Sequence, residues 1–174
     1  MRKTFFILLA ALIAISCNPR VDFNELMEDD YINTSLEFPN SSVRFYEVQA
    51  VLSGPCGDVE SEILASSTII QIGRDTIKEI DRTFHDGRIV EQLDTLKLGP
   101  WDGDLPIILD SVKYSLGDAF NIVREHGSTP EDPFVAFRRA LRPPFRLQYI
   151  FGGRNSYYIF VDAATGELTV EEPS

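Results

Sequence analysis

Two strand-like runs, 75–84 and 89–98, flank the tetrapeptide His85-Asp86-Gly87-Arg88. Asp-Gly between such runs favours a two-residue turn in which both central residues adopt positive φ, a geometry whose twist matches that of paired antiparallel strands. The hairpin commits this part of the chain to an antiparallel sheet. Residues 43–52 are rich in Val, Phe, Tyr and Leu and predict another strand, as does the β-branched stretch 66–72. Residues 58–65 allow either a short helix capped by Asp58 or a continuation of that strand. Gly99-Pro100-Trp101-Asp102-Gly103-Asp104 then breaks the chain.

The second half has a different grammar. Ser115 with Asp118 three residues later forms a helix-opening signature. Leu116, Ala119, Phe120 and Val123 share one face, and Gly127 follows, so a helix is predicted over 115–126. Asp132-Pro133 resembles a second helix start, with Phe134, Phe137, Ala140 and Leu141 at helical spacing before Pro143-Pro144, so a short helix is predicted over 132–141. Three further strands are expected at 146–151, 157–162 and 167–171. The expected fold is therefore α+β: an antiparallel sheet with one main helix and a short second helix packed on one face.

The first seventeen residues concern location. Arg2 and Lys3 precede the unbroken apolar run Phe5–Ile15, and Ala14-Ile15-Ser16-Cys17 closes it with small residues before a cysteine. A charged start, a short apolar stretch and a small-residue processing site describe a secretory signal peptide. As a helix the run would span about 17 Å, well short of the roughly 30 Å hydrocarbon core of a bilayer. With cysteine at the cut, the segment resembles a bacterial lipoprotein signal over 1–16. That resemblance implies a diacylglycerol thioether and an acylated amino group on Cys17, and several acyl chains anchor a protein stably where one does not. Residues 17–42 are acidic and weakly periodic, carrying Asp22, Glu25, Glu28, Asp29, Asp30 and Glu37 against Arg20 alone, and are expected to be a tether.

Charge restricts the partners. The whole chain carries −11, and removing Arg2 and Lys3 with the signal brings the mature chain to −13. Nucleic acid is not an expected partner, because phosphate contacts need clustered Lys and Arg. With Cys17 acylated, Cys56 is left without a disulfide partner. Its setting, Ser53-Gly54-Pro55-Cys56-Gly57-Asp58, suits a small buried residue at a turn better than a thiolate.

The C-terminal stretch carries a second resemblance. Leu116-Gly117-Asp118-Ala119-Phe120 opens a helix. A strand later ends in Tyr149-Ile150-Phe151, and Tyr157-Tyr158-Ile159-Phe160-Val161-Asp162 runs into Ala163-Ala164-Thr165-Gly166-Glu167-Leu168. Over roughly 105–172 this is similar to a PepSY-type domain, which divides the chain into signal, tether, a strand-rich region 43–104 and a PepSY-like region 105–174. The last motif is also hairpin chemistry in its own right: the Asp162 carboxylate and the Thr165 hydroxyl can bond turn amides while Gly166 takes positive φ. The resemblance implies a small α+β module found in peptidase propeptides and bacterial envelope proteins, binding or inhibiting peptidases and carrying no catalytic residues. The double proline at 143–144 and the insertion around Thr129-Pro130 depart from the pattern. Residues 43–98 read either as a degenerate first copy or as extra strands of the same sheet.

Little in the sequence carries reaction chemistry. His85 falls in the hairpin turn and His126 at a helix end, and neither has metal-ligand spacing with the other or with Cys56. No Gly-x-Ser-x-Gly, His-Glu-x-x-His or phosphate-loop motif occurs. Asp102, Asp104 and Asp110 lack the glycine placement of a calcium loop and are expected to be solvated. No catalytic residue, cofactor or metal is therefore assigned. Two features point to a protein partner. Trp101, the single tryptophan, either plugs the edge of the core or stands exposed as a recognition anchor. Arg138, Arg139, Arg142, Arg146 and Arg154 crowd a stretch, 133–161, that has no acid. They either pair with this chain's own acids or form a basic face for an acidic partner or a terminal carboxylate. In the helical reading, Arg138 and Arg142 lie on one face with Arg139 adjacent. The expected function is that of a lipid-anchored, non-catalytic binding or inhibitory module, held to a membrane through Cys17, most simply at the periplasmic face of the outer membrane. A structural envelope lipoprotein and a hydrolase without a recognisable motif are the alternatives.

Overall fold

A computed structural model of the chain describes residues 21–54, 63–128, 133–140, 143–152 and 157–171. The signal segment with Cys17, the Cys56 turn, Arg142 and Arg154 lie outside the described residues.

The fold is α+β, with one antiparallel sheet of eight strands and two helices against it. Helix α1 (Phe23–Glu37) precedes β1 (Val43–Leu52), β2 (Ile63–Ile72), β3 (Thr76–His85) and β4 (Arg88–Leu98). Helix α2 (Leu116–Glu125) precedes β5 (Phe134–Arg139), β6 (Leu147–Phe151), β7 (Tyr158–Asp162) and β8 (Leu168–Glu171). The strand order is β4-β3-β2-β1-β5-β6-β7-β8. Each half is thus a helix followed by a four-strand meander, and the first strands of the two meanders pair antiparallel at the centre, from Glu47–Arg138 to Val51–Phe134. Residues 43–98 are thus extra strands of the same sheet, and together with α1 they repeat the second half's order of elements.

Both helices cover the same face. Phe23 and Met27 of α1, and Leu116, Ala119, Phe120 and Val123 of α2, are buried with Phe45, Val48, Ile70, Phe137, Tyr149, Phe151, Ile159 and Val161 of the sheet. The Tyr149 hydroxyl donates to the Tyr114 carbonyl at 3.0 Å and lies 3.2 Å from Asn24 Oδ1, tying the start of α1 to the second half. Burial is the largest influence on that phenol and raises its pKa above the ordinary tyrosine value.

Several local expectations are met. Asp86 and Gly87 both adopt positive φ, at 49° and 69°. Ser115 caps α2, its hydroxyl accepting from the Asp118 N–H at 3.1 Å while the Asp118 carboxylate accepts from the Ser115 N–H at 2.9 Å. The Ser115 hydroxyl also donates to that carboxylate at 2.7 Å, and this bond, together with the one from the Ser115 N–H, pulls the Asp118 carboxyl below its ordinary pKa. Residues 147–171 form the expected three-strand meander. In its last turn Asp162 Oδ1 accepts from the Ala164 and Thr165 amides, each at 2.9 Å, and Gly166 takes φ 73°.

Two expectations fail. The short helix predicted over 132–141 is strand β5. Its Val135 and Phe137 face the helices while Ala136, pointing the other way, is also buried. A central strand apolar on both faces loses the alternation that marks a strand, and its spacing then mimics a helix. The second helix is α1, inside the stretch expected to be a tether. Asp22 caps it, with Oδ1 accepting from the Asn24 and Glu25 amides. Its buried positions, Phe23, Met27, Asp30 and Thr34, follow helical spacing, but half of them are polar. Asp30 makes a buried, two-pronged contact with Arg82 of β3 and accepts from the Thr68 hydroxyl at 2.8 Å. Lys78 of β3 holds Glu37 at 2.6 Å and Asp94 at 3.0 Å. Burial works to lower the Lys78 pKa, and the two carboxylates outweigh it, so the net shift is upward. The acids of 22–37 are therefore partly consumed within the first half.

Candidate functional site

The helix-free face of the sheet carries the candidate site, and the segment between β4 and α2 shapes it. Beyond the Glu47–Arg138 pair, β1 and β5 separate. Leu105 donates its amide to the Arg139 carbonyl at 3.0 Å, and Ile107 donates to the Phe45 carbonyl at 2.7 Å, so 105–107 fills the wedge between the two strands. This docking brings Asp104 against the strand ends. Trp101 folds back over Gly103, where a Cβ would lie 2.9 Å from the indole ring, so any larger residue would displace it.

Asp104 is only 6% exposed. One of its carboxylate oxygens, Oδ1, is 3.7 Å from Arg138 Nη1, and the other, Oδ2, is buried with no hydrogen-bond partner. The neighbouring Trp101 indole N–H is likewise buried and lies outside full hydrogen-bond geometry, yet it is close enough to the Asp104 carboxylate to favour its ionised form. Burial pushes the Asp104 carboxyl up to about 6. Arg138 opposes that shift, Glu47 adds to it, and the nearby Trp101 N–H works against it. The direction of the sum is decisive: removal from water outweighs the attraction of the arginine.

Asp104 and Arg138 line a hollow of about 670 Å³ that continues across β6, β7 and β8, past Arg146, Gln148, Phe160 and Glu167. Arg146 is already engaged, 2.5 Å from Glu167 and 3.8 Å from Asp162. Arg138 is an exposed residue on this face, and among the described residues it pairs only with Asp104, at long range. A second hollow on the same face, about 380 Å³, lies over the first half against Val51, Asp81, Glu91, Leu93 and Phe134.

The arginine cluster read from the sequence is therefore dispersed. As strand neighbours, Arg138 and Arg139 point to opposite faces rather than along one helix face. Arg139 donates to the Phe145 carbonyl at 3.1 Å and to the Pro106 carbonyl at 3.5 Å, holding two loops together. Arg142 and Arg154 lie outside the described residues. Trp101 is half-buried, between the two roles expected for it. Asp104, expected to be solvated, is the residue the sequence reading missed. The run Leu105-Pro106-Ile107-Ile108-Leu109 immediately after it is the available signal that this loop docks into the fold.

The hollow offers an acceptor and a cationic donor side by side, without a nucleophile and base in contact. His85 and His126 do not line it. Among the described residues no three acidic, histidine or cysteine side chains gather as a metal-binding group, and no helix is long and apolar enough to cross a membrane. Compared with known proteins, the chain matches no family model, no curated protein and no solved structure.

Proposed function

We propose that this protein is a lipid-anchored, non-catalytic binding module of the bacterial envelope, held by acylated Cys17 at the periplasmic face of the outer membrane and engaging a protein ligand through the helix-free face of its sheet. The observation that carries the binding half of this reading is exposed Arg138, whose contact with Asp104 is a long 3.7 Å, on the wall of a hollow of about 670 Å³. A peptide carbonyl or a terminal carboxylate is the complement of that guanidinium. The PepSY-like features of 105–172 favour a peptidase or another envelope protein as the source of that segment, bound and inhibited rather than cleaved. The signal-like Arg2–Cys17 segment supports the anchor.

Envelope extracts passed over the parent chain and over a variant carrying Arg138→Glu and Arg146→Glu test the face. The parent should retain a protein that the variant loses, at low and at moderate salt. Identical retention by both would mean that these arginines serve only the chain's own acids.

A further inference from the structure

At the outer edge of the first half, β4 is an eleven-residue strand with every residue but one exposed. It pairs with β3 on one side, and among the described residues no strand follows it in the sheet order. Leu98 is 93% exposed, and Ile89, Val90, Leu93 and Leu96 are all exposed large apolar side chains. A long apolar edge is a template for strand addition, and proteins ordinarily blunt such edges with outward charge. Here half of the four charges on β4 are spent within the hairpin and the α1 layer: Asp94 is held by Lys78 at 3.0 Å and Lys97 pairs with Glu79 of β3, while Arg88 and Glu91 stay exposed. The other edge strand, β8, has only four residues.

We propose that β4 is a self-association edge, on which a second copy of this chain adds its own β4 antiparallel about a twofold axis at Leu93. The register supports this occupant. With Leu93 facing the partner's Leu93, Val90 lies opposite the partner's Leu96 and the same pair recurs across the axis. Gln92 faces the partner's Asp94, an amide donor against a carboxylate, and Glu91 faces the partner's Thr95. No like charges meet, and three of the five exposed apolar side chains, Val90, Leu93 and Leu96, find apolar neighbours at cross-strand distance, while Ile89 faces the partner's Lys97 and Leu98 the partner's Arg88. Moving the axis one residue to Asp94 would set two carboxylates against each other, and moving it to Gln92 would place Val90 against an aspartate. Because residues on one face then meet residues on the same face, both helix layers stay on one side of a continuous sixteen-strand sheet. An isologous contact of this kind consumes both exposed edges and closes at two copies rather than growing into a fibre.

The register gives a sharp test in the full-length chain with Cys56→Ser. Leu93→Cys would place two thiols face to face across the axis, within the Cα separation that a disulfide needs. Thr95→Cys would place them four residues out of step, roughly 14 Å apart along the strands. Mild oxidation of the cells should yield disulfide dimer from L93C at about ten-fold or more over T95C, with no dimer from C56S alone. Purified parent chain should sediment as a dimer, and Leu93→Lys with Leu96→Lys as a monomer with an unchanged circular dichroism spectrum. Equal cross-linking at 93 and 95 would overturn the register. A monomeric parent chain with no cross-link at either position would overturn the proposal, leaving β4 to a foreign strand or to a segment of this chain outside the described residues.

Discussion

Replacing Asp104 with Asn should make the protein more stable at neutral pH, although it removes one member of an ion pair. The carboxyl titrates near 6 in the fold against an ordinary value of 3.8. At about 1.4 kcal/mol per unit of pKa, that gap amounts to about 3 kcal/mol between the protonated and ionised forms. The sign follows from proton binding. Between pH 4 and pH 6 the folded chain holds a proton that the unfolded chain has released, so stability falls as pH rises through this window and the full cost is present above it. Asn has the shape of the neutral acid and never ionises. The difference between D104N and the parent should therefore be near zero at pH 4 and reach about 1–3 kcal/mol in favour of D104N at pH 7.5, since relaxation of the Trp101–Leu105 loop around the charge reduces the full figure. Urea unfolding at the two pH values, with midpoints and slopes fitted separately, measures it. A D104N protein less stable than the parent at pH 7.5 would show that the attraction of Arg138 and the Trp101 N–H exceeds the cost of burial.

Further outcomes follow from named contacts. Asp30→Asn leaves Arg82 buried without its counter-charge and should cost about 3–5 kcal/mol in the same urea assay, whereas Asp30→Leu combined with Arg82→Met should recover most of that loss. Ser115→Ala removes one side of the α2 cap and should lower stability by about 0.5–2 kcal/mol, with little change in the urea slope. Cys17→Ala should shift the protein from the membrane fraction to the soluble envelope fraction on cell fractionation. A variant as firmly membrane-bound as the parent would show that Cys17 is not the anchor.

What was legible in the sequence was legible because its physics is local. The Asp86-Gly87 turn, the Ser115–Asp118 cap and the Asp162–Gly166 turn each close within a few residues, so residue type and spacing determine them. Helix α1 is hidden in the sequence because its buried stripe passes from apolar Phe23 and Met27 to polar Asp30 and Thr34. Burying Asp30 depends on Arg82, fifty-two positions away, and periodicity carries no trace of such a contact. Strand β5 was misread because it lies between β1 and β6 and is apolar on both faces. That single error moved Arg138 and Arg139 from one face to two and made an arginine cluster of what is one exposed cation and one loop clamp. The acceptor half of the hollow was missed for a related reason: whether Asp104 is solvated or buried depends on the docking of Leu105 and Ile107 between β1 and β5, a tertiary event.

In the proposed function, ligands meet the helix-free face of the sheet. Site-specific photo-cross-linking in intact cells tests it most directly, with a photoreactive side chain at Gln148 in the hollow and, as control, at Glu125 on the outer side of α2. A discrete cross-linked protein is expected from position 148, lost when Arg138 is changed to Glu, and none from position 125. Cross-links from 125 but not 148, or a product at 148 indifferent to R138E, would contradict it.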